Sequence, residues 1–255
     1  MDQALTESPD VGNPGLAADS RETEFQLLGR RLRLRGTGPE PFWPRMERLA
    51  RIAAAAFPDG GAGRVLVDTQ AGSGAASVAL GLAVPYHAHL LGIEPDPEAA
   101  ALLRHNLAAH GLHETRFAET TLGAEDLPDL SRRRLDGLLA EQGLERVDLW
   151  RLAAEGHETA AMLGAAGAIR RDRPIVVAEF NLWTLMTAAR ENPLAVLEEW
   201  QAAFPHLVGF DDEGEPLPFP TPEGLPWLLH AVLTRRGGVD EVVLCHDLDW
   251  LERWA

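Results

Sequence analysis

The chain has 255 residues, and 39 acidic side chains outnumber 23 basic ones to give a formal charge of −16. A hydrophobic fraction of 45 % is enough to bury a sizeable core, which excludes general disorder. No apolar run approaches the ~18 residues that span a bilayer. A nucleic-acid partner is not expected, because phosphate backbones are held by clustered basic residues and this acidic chain contains no Lys at all.

Residues 1–24 are rich in Asp, Glu, Ser, Pro and Gly and read as an acidic tail with little to bury. They lack a basic start followed by an apolar block, so no secretory signal is expected. A cytoplasmic location is the expectation, and the single Cys245 agrees by excluding an internal disulfide. One domain is expected over residues 25–255, with residues 25–60 as an entrance layer and 61–255 as the core. In the entrance layer, residues 25–35 read as two strands around a turn at Leu28 and Gly29, and a helix follows over 45–57. The alternation of Arg31, Arg33 and Arg35 with Leu32 and Leu34 reads as a strand with a solvated face.

From residue 64 onward, short β-rich runs alternate with helical stretches. Strands are predicted at 64–68, 89–94, 115–119, 147–152 and 174–180, and helices at 74–82, 97–110, 135–142, 158–170 and 193–204. Gly111 stops the third helix of the chain in the left-handed conformation. This alternation predicts a doubly wound α/β fold, because parallel neighbours require crossover helices that cover both faces of the sheet. Strands at 206–210 and 241–245 flank an acidic, Pro-rich loop at 211–224 and are expected to form an antiparallel edge.

Ligands of open parallel sheets bind beyond the carboxyl ends of the strands, at the point where strand order reverses. The first such turn is Asp68-Thr69-Gln70-Ala71-Gly72-Ser73-Gly74. Gly72 and Gly74 permit close backbone approach, with Gln70 and Ala71 beside them, and the following helix offers free N–H groups to an anion or carboxylate. Glu94, twenty residues beyond Gly74 at the end of the next strand, is placed to accept the hydroxyls of a ribose. Asp68 is expected near the amino group of an amino-acid-bearing ligand, and it would repel a pyrophosphate. S-adenosylmethionine is therefore preferred over NAD. His87-Ala88-His89 and Cys245-His246-Asp247 lack a second pair at metal spacing, so no metal site is expected.

The blocks Val65-Leu66-Val67-Asp68, Glu94-Pro95-Asp96-Pro97, Arg104-His105-Asn106-Leu107 and Leu135-Asp136-Gly137-Leu138-Leu139 stand in series. They are followed by residues 147–158, Met162-Leu163-Gly164-Ala165 and residues 173–181. In that order and spacing, over about half the chain, they resemble the FkbM family of S-adenosylmethionine-dependent methyltransferases. The resemblance implies a class I methyltransferase core acting on hydroxyls of sugars, polysaccharides or polyketide-like products. The chain departs from the family at Gln70, where Gly is usual, and at Gly72, where Asn is usual. The family run Lys-Ile-Asp-Val-Glu-Gly is here Arg151-Leu152-Ala153-Ala154-Glu155-Gly156, so an acid is replaced by a methyl at Ala153.

An O-methyltransferase needs a group to receive the hydroxyl proton, and the candidates are Glu155, His157 and Glu179; Arg151 joins the candidate catalytic residues as a fixed charge in place of the family's Lys, without a proton-shuttling role. Trp183 and Trp227 are candidates to line an acceptor site. Two rivals remain. One is a catalytically degenerate methyltransferase fold serving as a binding or partner subunit, suggested by Gln70 and Ala153, and the other is an NAD-dependent oxidoreductase.

Overall fold

The computed structural model describes residues 21–36 and 43–254. The chain opens on an antiparallel hairpin of β1 (Arg21–Leu27) and β2 (Arg30–Gly36), turned at Leu28 and Gly29 as predicted. The ladder begins at Arg21, so residues 21–24 belong to the domain and not to the predicted tail, whose residues 1–20 lie outside the described residues. Glu24 pairs with Arg31 at 3.1 Å and Arg33 at 3.3 Å on the exposed face, while Leu32 and Leu34 are buried against the core.

Helix α1 (Trp43–Ala56) lies against α2 (Ala75–Ala83) and one face of an eight-stranded sheet. The sheet strands are β3 (Val65–Thr69), β4 (His89–Ile93), β5 (Thr115–Ala118), β8 (Leu149–Leu152), β9 (Ile175–Asn181), β10 (His206–Phe210), β11 (Pro216–Phe219) and β12 (Val239–Cys245). Two-residue strands β6 (Thr121–Leu122) and β7 (Arg132–Arg133) form a separate parallel pair. The spatial order is β11-β10-β12-β9-β8-β3-β4-β5. Strands β5, β4, β3, β8 and β9 are parallel, whereas β12 runs antiparallel to both β9 and β10, and β11 closes the edge. This is the doubly wound, Rossmann-like sheet with an antiparallel C-terminal edge that a class I methyltransferase core implies.

Strand β3 is buried on both faces, which its run of Val and Leu dictates. Leu66, Leu90, Leu149, Val177 and Val243 face α1, α2 and α3 (Pro97–Ala109). Val67, Leu91, Trp150, Val176 and Val242 face the other layer, built from α4 (Leu135–Glu141), α5 (Glu158–Gly164), α6 (Ala166–Asp172), α8 (Pro193–Ala203) and α9 (Leu225–Arg235). Asp96 caps α3 by accepting the Ala99 N–H at 2.8 Å, with Pro97 at the start where its missing N–H costs nothing.

Three predicted elements are redrawn. The helix expected over 158–170 is two helices broken at Ala165, and beside the break Gly164 passes so close to the Gly123 carbonyl that a Cβ there would overlap it. The loop expected over 211–224 contains β11, which leaves only the Asp211–Gly214 tip as the acidic turn. Helix α9 fills a stretch that carried no predicted helix. Among the described residues, no helix is long and apolar enough to cross a membrane.

Arginines tie α1 to the C-terminal part of the chain. Arg48 on α1 donates to Asp240 at 2.8 Å and Glu241 at 3.1 Å on β12, and Arg253 donates to the Ala55 carbonyl at 2.7 Å.

Candidate active site

Strand order reverses between β3 and β8, and a cavity of about 330 Å³ opens there at the carboxyl ends of both strands. Thr69 at the end of β3 and Gln70 after it form one wall, Glu155 and His157 after β8 another, and Gly123, Glu125 and Arg132 a third. Gln70 stands at φ +50, a conformation that Gly adopts freely and a side chain enters at a cost of about 1–2 kcal/mol. Gln70, where the family usually has Gly, is thus one of the residues that line the cavity.

Beyond Gln70 the turn continues through Ala71, Gly72 and Gly74. Gly74 holds φ +91, and a Cβ there would come within 2.8 Å of Leu103 Cδ1, so the close approach of α2 to α3 requires glycine. Gly72 faces open space at φ +56. Helix α2 has no side-chain cap at Gly74, which leaves its first N–H groups available. Glu94, 7 % exposed, braces this turn. Its Oε2 accepts the Gly72 N–H at 2.7 Å and its Oε1 accepts the Asp96 N–H at 2.9 Å. Ala71, Gly72, Gly74 and Glu94 adjoin the cavity through the turn and are not part of its wall.

Three predicted site residues occupy other positions. Asp68 is fully buried; it accepts the Ser77 hydroxyl at 2.5 Å and Arg151 Nη1 at 3.0 Å. The same Arg151 nitrogen donates to the Thr69 and Gln70 carbonyls at 3.1 and 3.2 Å, so the pair shapes the turn from behind. Arg151, a candidate catalytic residue by sequence, is therefore a brace and not part of the cavity wall. Asp68 does not face the cavity, and with its charge met by Arg151 it gives no electrostatic ground for disfavouring a pyrophosphate. Glu179 lies 3.7 Å from Arg45 of α1, accepts Asn181 Nδ2 at 3.4 Å, and is not in the cavity wall. Ala153 is buried just past β8.

Glu155 and His157 are the two candidate catalytic residues that the fold brings to the cavity, and both are exposed. They sit on a tight loop in which Glu155 has φ +50 and Gly156 φ +95. The next residue, Glu158, was not singled out by its sequence, yet it is 1 % exposed and burial pushes its carboxyl up to about 7. Its position one residue inside a helix reads as an ordinary acidic first turn, and nothing in the local sequence signals that α5 buries it. Arg132, also missed, belongs to a run of three arginines that reads as a polar loop.

Of the two candidate acceptor aromatics, Trp183 lies on α7 (Leu182–Thr184), a short turn continued by a π-helical segment, Leu185–Ala189, whose Ala188 reaches the cavity. Trp227 lies on α9, and both rings are exposed. Cys245 is buried, and burial pushes its thiol up to about 12.

No protein-family model matches the chain, and no curated protein matches it. Among solved structures, the chain is similar to the methyltransferase FkbM from Methylobacillus flagellatus KT at 19 % identity and a TM-score of 0.41, covering 46 % of this chain and 33 % of that one. The chain thus spans a third of that structure's length. It is similar to M. jannaschii TYW2 in complex with AdoMet at 17 % identity and a TM-score of 0.47, covering 89 % and 86 %. The M. jannaschii tRNA m1G37 methyltransferase matches at 11 % identity and a TM-score of 0.45, covering 90 % of this chain and 56 % of that one.

Proposed function

We propose that the chain is an S-adenosylmethionine-dependent O-methyltransferase of the FkbM kind, acting on a hydroxyl of a sugar, polysaccharide or small hydroxylated metabolite. The observation that carries this reading is the cavity at the strand-order reversal, with a glycine turn braced by Glu94 on one side and Glu155 and His157 on the other. The residues present fit the cofactor. A buried carboxylate at the end of β4 suits ribose hydroxyls, Gly72 leaves open space above the turn, and the uncapped start of α2 suits a carboxylate.

The bound cofactor supplies an electrophilic methyl on sulfur, and its transfer to the acceptor oxygen releases S-adenosylhomocysteine and one proton. Glu94 and the Gly72 turn hold the cofactor, and the cavity between the two loops positions the acceptor. His157 or Glu155 receives the hydroxyl proton, both side chains being exposed in the cavity wall. Glu125 and Glu155 outnumber Arg132 in the wall and favour an uncharged acceptor over a polyanion.

The test is calorimetry with S-adenosylmethionine, S-adenosylhomocysteine and NAD, followed by methyl transfer from labelled cofactor to a panel of glycosides, with a tRNA arm. Binding of the sulfonium cofactor and labelled glycosides support the reading. Binding without any turnover gives the degenerate binding subunit, for which the engagement of Arg151 by Asp68 and the methyl at Ala153 speak. Binding of NAD alone gives the oxidoreductase, and labelled tRNA replaces the hydroxylated acceptor with nucleic acid.

A further inference from the structure

Glu158 is a buried acid for which the fold has only one visible use. Its Oε1 accepts the Ala154 N–H at 2.7 Å and the Gly156 N–H at 3.3 Å, closing the loop that presents Glu155 and His157 to the cavity. Its Oε2 is buried with no hydrogen-bond partner among the described residues. Burying a carboxyl with one oxygen unsatisfied is costly, and such groups cluster where a site demands them. The loop is also held from its other side, since a Cβ at Gly156 would stand 2.6 Å from the Thr184 carbonyl of the segment that leads to Ala188.

We propose that Glu158 is a positioning residue, whose carboxyl clamps the Ala154–Gly156 backbone so that Glu155 and His157 face the acceptor. The clamp rests on the methyl-transfer reading for its purpose, but its geometry is independent of it. Glu155 stands at φ +50 and resists relaxing only while both neighbouring N–H groups are held. Burial is the main cause that raises the cost of ionising this carboxyl, and the charge of Glu179 adds to it in the same direction.

The experiment compares the full chain with Glu158→Ala and Glu158→Gln. Hydrogen exchange at the Ala154 and Gly156 amides, S-adenosylhomocysteine affinity, and kcat and KM on the glycoside panel are measured for each. In Glu158→Ala, exchange at those two amides is expected to quicken at least tenfold while the Val67 amide in β3 is unmoved. In the same variant kcat falls at least tenfold, with S-adenosylhomocysteine affinity within threefold of wild type. Glu158→Gln keeps a carbonyl acceptor and restores both readouts to within threefold. A folded Glu158→Ala chain with unchanged exchange at Ala154 and Gly156 overturns the clamp. Equal losses of kcat and cofactor affinity overturn the positioning role. If wild type shows no turnover, methyl transfer fails while the exchange measurement still decides the clamp.

Discussion

Replacing Glu94 by Ala removes both bonds that brace the glycine turn, and the consequences divide between fold and ligand. The Gly72 N–H loses an acceptor at 2.7 Å and the Asp96 N–H one at 2.9 Å. Asp96 is exposed and regains water, so the stability loss falls mainly on the Gly72 bond, about 1.5–3 kcal/mol for a hydrogen bond to a charged group. If the carboxylate also accepts the ribose hydroxyls, S-adenosylhomocysteine loses a further interaction of about the same size, roughly a 10- to 150-fold weaker Kd. The two effects separate by calorimetry well below the Tm of the variant, where the folded fraction of both proteins is complete. Glu94→Gln, which keeps one carbonyl acceptor, is expected to lie between wild type and Ala in both measurements. A folded Glu94→Ala protein that binds S-adenosylhomocysteine as wild type does would remove Glu94 from the cofactor site.

Four other outcomes are expected. Gln70→Gly relieves the left-handed strain and clears the cavity wall, so S-adenosylhomocysteine binds at least threefold tighter by calorimetry; unchanged binding would show that the side chain turns away. Gly156→Ala destabilises by about 2–4 kcal/mol in urea denaturation, because φ +95 and the Thr184 carbonyl both oppose a Cβ. Ala153→Asp, which restores the acid of the family run on the side of Arg151, is expected to raise methyl transfer to glycosides. Robust wild-type turnover that falls in this variant would show that the chain has its own working arrangement. For Glu158, the folded chain holds a proton up to about pH 7 whereas the unfolded chain releases it near 4.5, so this group's contribution is full below pH 4.5 and is lost as pH rises to 7. The stability difference between wild type and Glu158→Gln should therefore fall by about 3 kcal/mol from pH 4.5 to 8, and a flat difference would contradict the buried acid.

The parallel core was legible because β3, β4 and β8 are short, largely apolar runs separated by helical stretches, α3 with an ordinary Asp96 cap, and these local signals agree with the sheet they build. Helix α9 was hidden by its own beginning, where Pro222, Gly224 and Pro226 read as loop punctuation although Pro226 sits where a helix tolerates it. At the site, the turn and Glu94 follow from the sheet's topology and were readable. The fates of Asp68, Arg151 and Glu179 were not, because pairing across neighbouring strands and with α1 decides whether a charge faces a ligand or another side chain. Glu158 was missed for a related reason, since its burial comes from how α5 packs and not from the residues beside it in sequence.

The arginine staples that join α1 to β12 and to the turn after it, Asp249–Arg253, have a kinetic consequence. Arg48 and Asp240 are 192 positions apart, and Arg253 and Ala55 are 198 apart, so α1 cannot complete its environment until distant parts of the chain have met. Long loops are closed late and slowly, while the neighbouring strands β3 and β4 need only a short crossover to pair. The order of assembly that follows runs from the middle outward. The β3–β5 half forms early, and docking of β12 both extends the sheet and draws α1 down over it, so unfolding from the edge should release α1 and β12 together as one cooperative unit.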